Sequence, residues 1–118
     1  MRFGCRQQLA LPDTGYRNIG GKASNYAVGG ARAIANFPCR FNLPEQVNTY
    51  LTDLNDSSIS QDTLIAIEIG GNDIRDALKA ASTGDIPAAF ARLQSAIEST
   101  VGNLFVLHSK GARKFLVM

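Results

Sequence analysis

A chain of 118 residues, 45% of them hydrophobic, is one domain's worth of sequence and can remove roughly two-thirds of its surface from water on folding. The net charge of +2 is spread over interspersed acidic and basic residues, with no stripe of Lys and Arg alternating with aromatics, which argues against a nucleic-acid partner. The longest apolar runs fall far short of the roughly eighteen residues that span a bilayer, so no transmembrane segment is expected.

In chain order, residues 1–23 are polar, carry Pro12, Gly15, Gly20 and Gly21, and are expected to be irregular. They lack the apolar core of a signal peptide; a signal upstream of Met1 would precede this segment, so secretion of a longer form stays open. Cys5 and Cys39 have no metal-ligand spacing, and free thiols and a disulfide are equally open. Residues 26–28 predict a short strand entering the pair Gly29-Gly30, and residues 31–35 a helical turn ended by Pro38. Pro44 suits a first helical position, and Val47, Tyr50, Leu51 and Leu54 then form one apolar helix face over about three turns. Residues 55–60 read as a polar loop.

Residues 64–69, Leu-Ile-Ala-Ile-Glu-Ile, have the length and composition of a strand buried on both faces of a parallel sheet. A short helix over residues 72–81 follows. Asp85 is the expected N-cap of the next helix, with Pro87 close behind. Phe90, Leu93, Ile97, Val101, Leu104 and Phe105 form its apolar stripe, expected to be core packing as far as about His108. His108 near that helix's carboxyl end is a favourable partner of the helix dipole, Gly111 fits the C-cap, and residues 114–118 turn β-like. Strand, helix and strand joined by long crossovers predict an α/β fold with a parallel sheet.

Two junctions carry chemistry. After residues 64–69, Gly70 and Gly71 turn the backbone at the strand's carboxyl end, where open α/β sheets place ligands, and Asn72 is delivered to that edge. A carboxamide there donates a hydrogen bond without bringing charge, as an oxyanion hole requires; equally, Asn72 or Asp73 could simply cap the next helix. Residues 25–33, Asn-Tyr-Ala-Val-Gly-Gly-Ala-Arg-Ala, form a second apolar stretch running into a glycine pair, whose main-chain N–H groups can face developing negative charge. One junction offering a backbone N–H and the other an amide compose an oxyanion site.

In these two blocks the chain resembles the SGNH (or GDSL) hydrolases, a family of esterases and lipases. The resemblance covers roughly residues 24–118 and implies a single partial domain within 1–118. It also implies a three-layer α/β/α sandwich of flavodoxin-like topology around a parallel sheet. The implied activity is hydrolysis of a small-molecule or lipid ester through a serine acyl-enzyme, with no metal or organic cofactor. Gly30 matches the glycine whose backbone N–H enters the oxyanion hole, and Asn72 the asparagine that adds its side-chain amide. Gly29, Gly70, Gly71 and Asp73 match positions that shape the turns.

The family's Gly-Asp-Ser-Leu block is absent: residues 11–15, Leu-Pro-Asp-Thr-Gly, would put Ala10 at the nucleophile. Its Asp-x-x-His block is absent too, because Phe105 stands three residues before His108. Ser57, Ser58 and Ser60 lie in the polar loop, and Ser109, beside His108 on a helix, points elsewhere. The expectation is a fragment holding the oxyanion half of a hydrolase and inactive alone. A non-catalytic, partner-binding pseudoenzyme is one alternative. A small nucleotide- or phosphate-binding module is another, although neither glycine pair fits Gly-x-Gly-x-x-Gly. In the family pattern the serine-bearing strand separates the two block-leading strands. A gap is therefore expected between residues 26–28 and 64–69, with the latter pairing in parallel with residues 114–118.

Overall fold

The computed structural model describes residues 25–35 and 41–118; the segment 1–23, Pro38 and both cysteines lie outside the described residues. Helix α1 (Leu43–Asp53) opens with Pro44 in its first turn, where the missing N–H costs nothing, and buries Leu43, Val47 and Thr49. Asn55 and Asp56, short polar residues that tolerate positive φ (+48° and +66°), carry the chain out of it. Strand β1 (Leu64–Ile67) leads through Gly70 (φ +105°) into helix α2 (Gly71–Ser82). Helix α3 (Ile86–Ser109) starts at Asp85, whose carboxylate accepts from the Ala88 N–H, and strand β2 (Lys114–Val117) follows.

β1 and β2 pair in parallel with Leu64 opposite Lys114 and Ile67 opposite Val117, as the sequence predicts; α2 and α3 both lie in the crossover. The ladder runs on by one residue, since Met118 donates to the Ile67 carbonyl and Ile69 to that of Met118. The α3–β2 link is a Schellman turn: Ala112 N–H reaches the Leu107 carbonyl at 3.1 Å and Gly111 N–H that of His108 at 3.0 Å. Gly111 sits at φ +115°, and a Cβ there would stand 2.4 Å from the Ile59 carbonyl oxygen, so only glycine fits. Leu107 and Ala112, the two apolar residues this turn brings together, are fully buried and join Leu43, Val47, Ile59 and Ile67 in the core.

Four expectations need correction. Residues 26–28 form no strand: among the described residues they have no ladder partner, and a strand is defined by its partner. Residues 31–35 form bends and a turn in place of a helical turn, because their peptide groups bond to distant elements instead. β1 is not buried on both faces; Leu64 is 63% exposed and only Ile67 is buried, since β1 has a neighbour on one edge alone among the described residues. The α3 stripe is not core: Phe90, Ile97, Val101 and Phe105 are exposed. A 24-residue helix is about 36 Å long whereas a four-residue strand spans about 13 Å. Only the end of α3, at Leu104 and Leu107, therefore reaches the core, while Ala89 and Ala96 are buried earlier along the helix, which packs mainly on α2.

Among the described residues, the gap expected beside β1 is present. A groove of about 660 Å³ runs along β1, with Tyr26 and Ala27 on its wall and Leu43, Val47 and Tyr50 of α1 beneath.

Candidate functional site

The two glycine junctions, forty residues apart, come together through the segment 28–33. It begins as a tight turn in which Ala31 N–H donates to the Val28 carbonyl at 3.2 Å, with Gly30 at φ +79°, the value a type II turn demands of its third residue. Three successive peptide units are then held at both ends. The Gly30 carbonyl accepts from Arg32 Nη1 at 3.1 Å while the N–H of the same unit, from Ala31, makes the turn bond. The Ala31 carbonyl accepts from Asn72 Nδ2 at 3.0 Å, and Arg32 N–H donates to Asn42 Oδ1 at 3.0 Å. The Arg32 carbonyl accepts from Leu43 N–H at 3.0 Å, and Ala33 N–H donates to Asp73 Oδ2 at 2.8 Å. The Ser99 hydroxyl of α3 closes the series on the Ala33 carbonyl. Ala31 and Ala33 are buried, so these bonds are what satisfies their main-chain groups.

The unit just before these three is different. Among the described residues the Gly30 N–H donates to nothing, and Asn72 uses one of its two amide hydrogens. Both residues are half-buried. Two neutral N–H donors thus remain on a braced frame, one from each sequence block, linked through Ala31. Groups of this kind can stabilise a developing oxyanion without bringing a counter-charge.

Charge lies behind the donors. Arg32 Nε and Nη2 form a two-pronged pair with Asp76 at 2.6 and 3.0 Å, the side chains being 14% and 18% exposed. The hydrogen-bonded guanidinium holds Asp76 below the ordinary carboxylate range; partial burial opposes this, and the charges of Arg32, Arg92 and Arg75 add to it. Asp76 in turn raises Arg32. Asp73 is buried, accepts the Ala33 N–H on one oxygen, and among the described residues has no partner on the other.

Sequence reasoning singled out Gly30, Asn72 and Asp73, whose segments the structure brings together, but it missed the reach of Asp73 to Ala33 and the bonds made by Arg32, Asn42, Asp76 and Ser99. One signal was available: Asp76 falls four residues after Asn72, on the same helix face. The other singled-out groups stay apart from the site. His108 is exposed in the last turn of α3, where its charge would suit the helix dipole, and the Ser109 hydroxyl donates to the Val106 carbonyl. Ser57, Ser58 and Ser60 are exposed, and no described serine hydroxyl bonds to a histidine or a carboxylate.

No curated protein and no solved structure matches the chain. The sequence model of the GDSL-like Lipase/Acylhydrolase family matches residues 2–118, taking in the amino-terminal segment as well as both blocks. That match spans nearly the whole chain, and the protein therefore belongs to the GDSL-like lipase/acylhydrolase family of hydrolases.

Proposed function

We propose that this chain carries the oxyanion half of a serine ester hydrolase acting on a small-molecule or lipid ester, within a three-layer α/β/α scaffold. In the reaction, serine attacks the ester carbonyl, histidine relays the proton, and water hydrolyses the covalent acyl-enzyme. Gly30 N–H and the Asn72 amide stabilise the negative charge on the tetrahedral oxygen. The observation that supports this reading is the tie from Asn72 to the carbonyl of Ala31, the residue after Gly30, whose N–H donates to nothing among the described residues. The nucleophile and the Asp-x-x-His pair are not in the sequence, so the 118-residue chain is expected to be inactive by itself.

Two measurements test this. In nuclear magnetic resonance spectra of the ¹⁵N-labelled chain, butyrate, the acid product of a short ester, should shift the Gly30 N–H and the Asn72 side-chain amide. Shifts confined to the backbone N–H groups of Gly71 and Asn72, seen with inorganic phosphate and not with butyrate, would favour a phosphate-binding module. On short-chain chromogenic esters the chain should show no turnover that a serine-directed organophosphonate abolishes; such turnover would mean that one of the visible serines has been recruited.

A further inference from the structure

Gly30 has no side chain to anchor it, and glycine explores more backbone conformations than any other residue. A donor is effective in an oxyanion site only when it is already aimed, because reorganisation at the moment of reaction cancels its advantage. Two side chains remove the freedom of Gly30. Arg32 Nη1 holds its carbonyl oxygen at 3.1 Å, and Nε and Nη2 of the same guanidinium grip Asp76 at 2.6 and 3.0 Å. Asp76 lies one turn beyond Asn72 on α2, so one helix face carries both the amide donor and the anchor of the glycine turn. A planar guanidinium can serve a carboxylate fork and a carbonyl together, which a lysine ammonium does less well.

We propose that Arg32 and Asp76 are a positioning pair for the two donors. Asp76 orients the guanidinium, the guanidinium fixes the Gly30 carbonyl, and Gly30 and Asn72 are thereby set on one rigid element. Neither residue touches the reacting atoms. The purpose assigned to the pair rests on the oxyanion reading above, whereas its action on the glycine turn does not.

The test uses the intact 118-residue chain. Ala31 N–H shares its peptide unit with the Gly30 carbonyl, so its hydrogen exchange reports whether that unit is held. In Asp76→Asn, exchange at Ala31 should quicken by about tenfold as the turn opens locally, while Leu107 and Ala112 in the core stay within about twofold of wild type. The swapped variant Arg32→Asp/Asp76→Arg should regain melting temperature through its restored ion pair and still leave Ala31 fast, because an aspartate at position 32 has no N–H to give the Gly30 carbonyl. Arg32→Lys provides the same reading should Asp76→Asn fail to fold.

Ala31 exchange that is unchanged, that rises only in step with Leu107 and Ala112, or that the swapped variant restores, overturns the proposal and leaves an ordinary structural ion pair. Butyrate separates the two ideas. A wild-type chain that ignores butyrate defeats the oxyanion reading, with the exchange data still deciding the pair. Butyrate shifts at Gly30 that persist undiminished in Asp76→Asn overturn the positioning role.

Discussion

Replacing Asp73 with alanine should cost about 2 kcal/mol of stability, and the sign is not obvious in advance. Against the mutation stands the Ala33 N–H, fully buried, which would lose its one acceptor among the described residues; a hydrogen bond to a charged group contributes about 1.5–3 kcal/mol net. A further 0.3–1 kcal/mol, roughly, comes from a negative charge in the first turn of α2. In favour of the mutation stands the removal of a buried carboxylate with one unpartnered oxygen, an arrangement that itself costs about 1–3 kcal/mol. The nearby Arg32 charge and the helix N-terminus already compensate that carboxylate, which puts the relief near the low end and lets the lost bond win. With an m-value of about 1.5 kcal/mol per molar urea, 2 kcal/mol moves the denaturation midpoint down by about 1.3 M. Asp73→Asn keeps an acceptor oxygen for Ala33 and should fall by roughly half as much. An alanine variant as stable as wild type, or more so, would show that the unpartnered oxygen outweighs the bond, and the reasoning would be refuted.

In a form of the protein that also carries the serine and the Asp-x-x-His block, Asn72→Ala should lower kcat by roughly a hundred- to a thousandfold with little change in KM, because the bond is made mainly to charge that develops in the transition state; a drop in melting temperature with kcat within about threefold would mark Asn72 as a turn former only. Asp76 lies below its ordinary value near 4 when folded, so the Arg32–Asp76 pair stabilises fully above about pH 5 and is lost as the pH falls through the lowered value. Urea midpoints of wild type and Asp76→Asn should accordingly converge on acidification, and a difference that is the same at pH 7 and pH 2 contradicts the sign. Gly111→Ala should destabilise by about 2–3 kcal/mol, read as a lower melting temperature, since its φ of +115° is strained for alanine and the new Cβ meets rigid backbone at Ile59.

Local chemistry was legible in the sequence wherever a residue acts on its own neighbours. Pro44, Asp85 and Gly111 mark helix ends by what their backbones and side chains can do, and the structure uses each of them so. A parallel sheet followed from the order of the elements, and the pairing of β1 with β2 from the family resemblance. Periodicity told that α3 has an apolar face without telling what covers it, and the length of α3 relative to the strands decides that. Residues 26–28 have strand composition, but no local feature of Tyr26, Ala27 or Val28 supplies a partner. At the site, Gly30 and Asn72 were visible because glycine turns and amide donors have a recognisable chemistry. The bonds from Ala33 to Asp73, Arg32 to Asp76 and Ser99 to Ala33 cross 40, 44 and 66 residues, and no short-range pattern announces them.

Those same separations bear on the order in which the molecule assembles. The α2–α3 pair is joined by a three-residue link and needs almost no loop closure, so it can form early. Segment 28–33 can dock only after α1, α2 and α3 are in place, since it takes bonds from Leu43, Asn72, Asp73, Asp76 and Ser99. The Gly30 turn is therefore expected to join Asn72 late in folding and to be lost from it early in unfolding. Substitutions at Asp73 and Asp76 should accelerate unfolding and leave the refolding rate nearly unchanged, whereas enlarging the buried Ala77 or Ala96 should slow refolding.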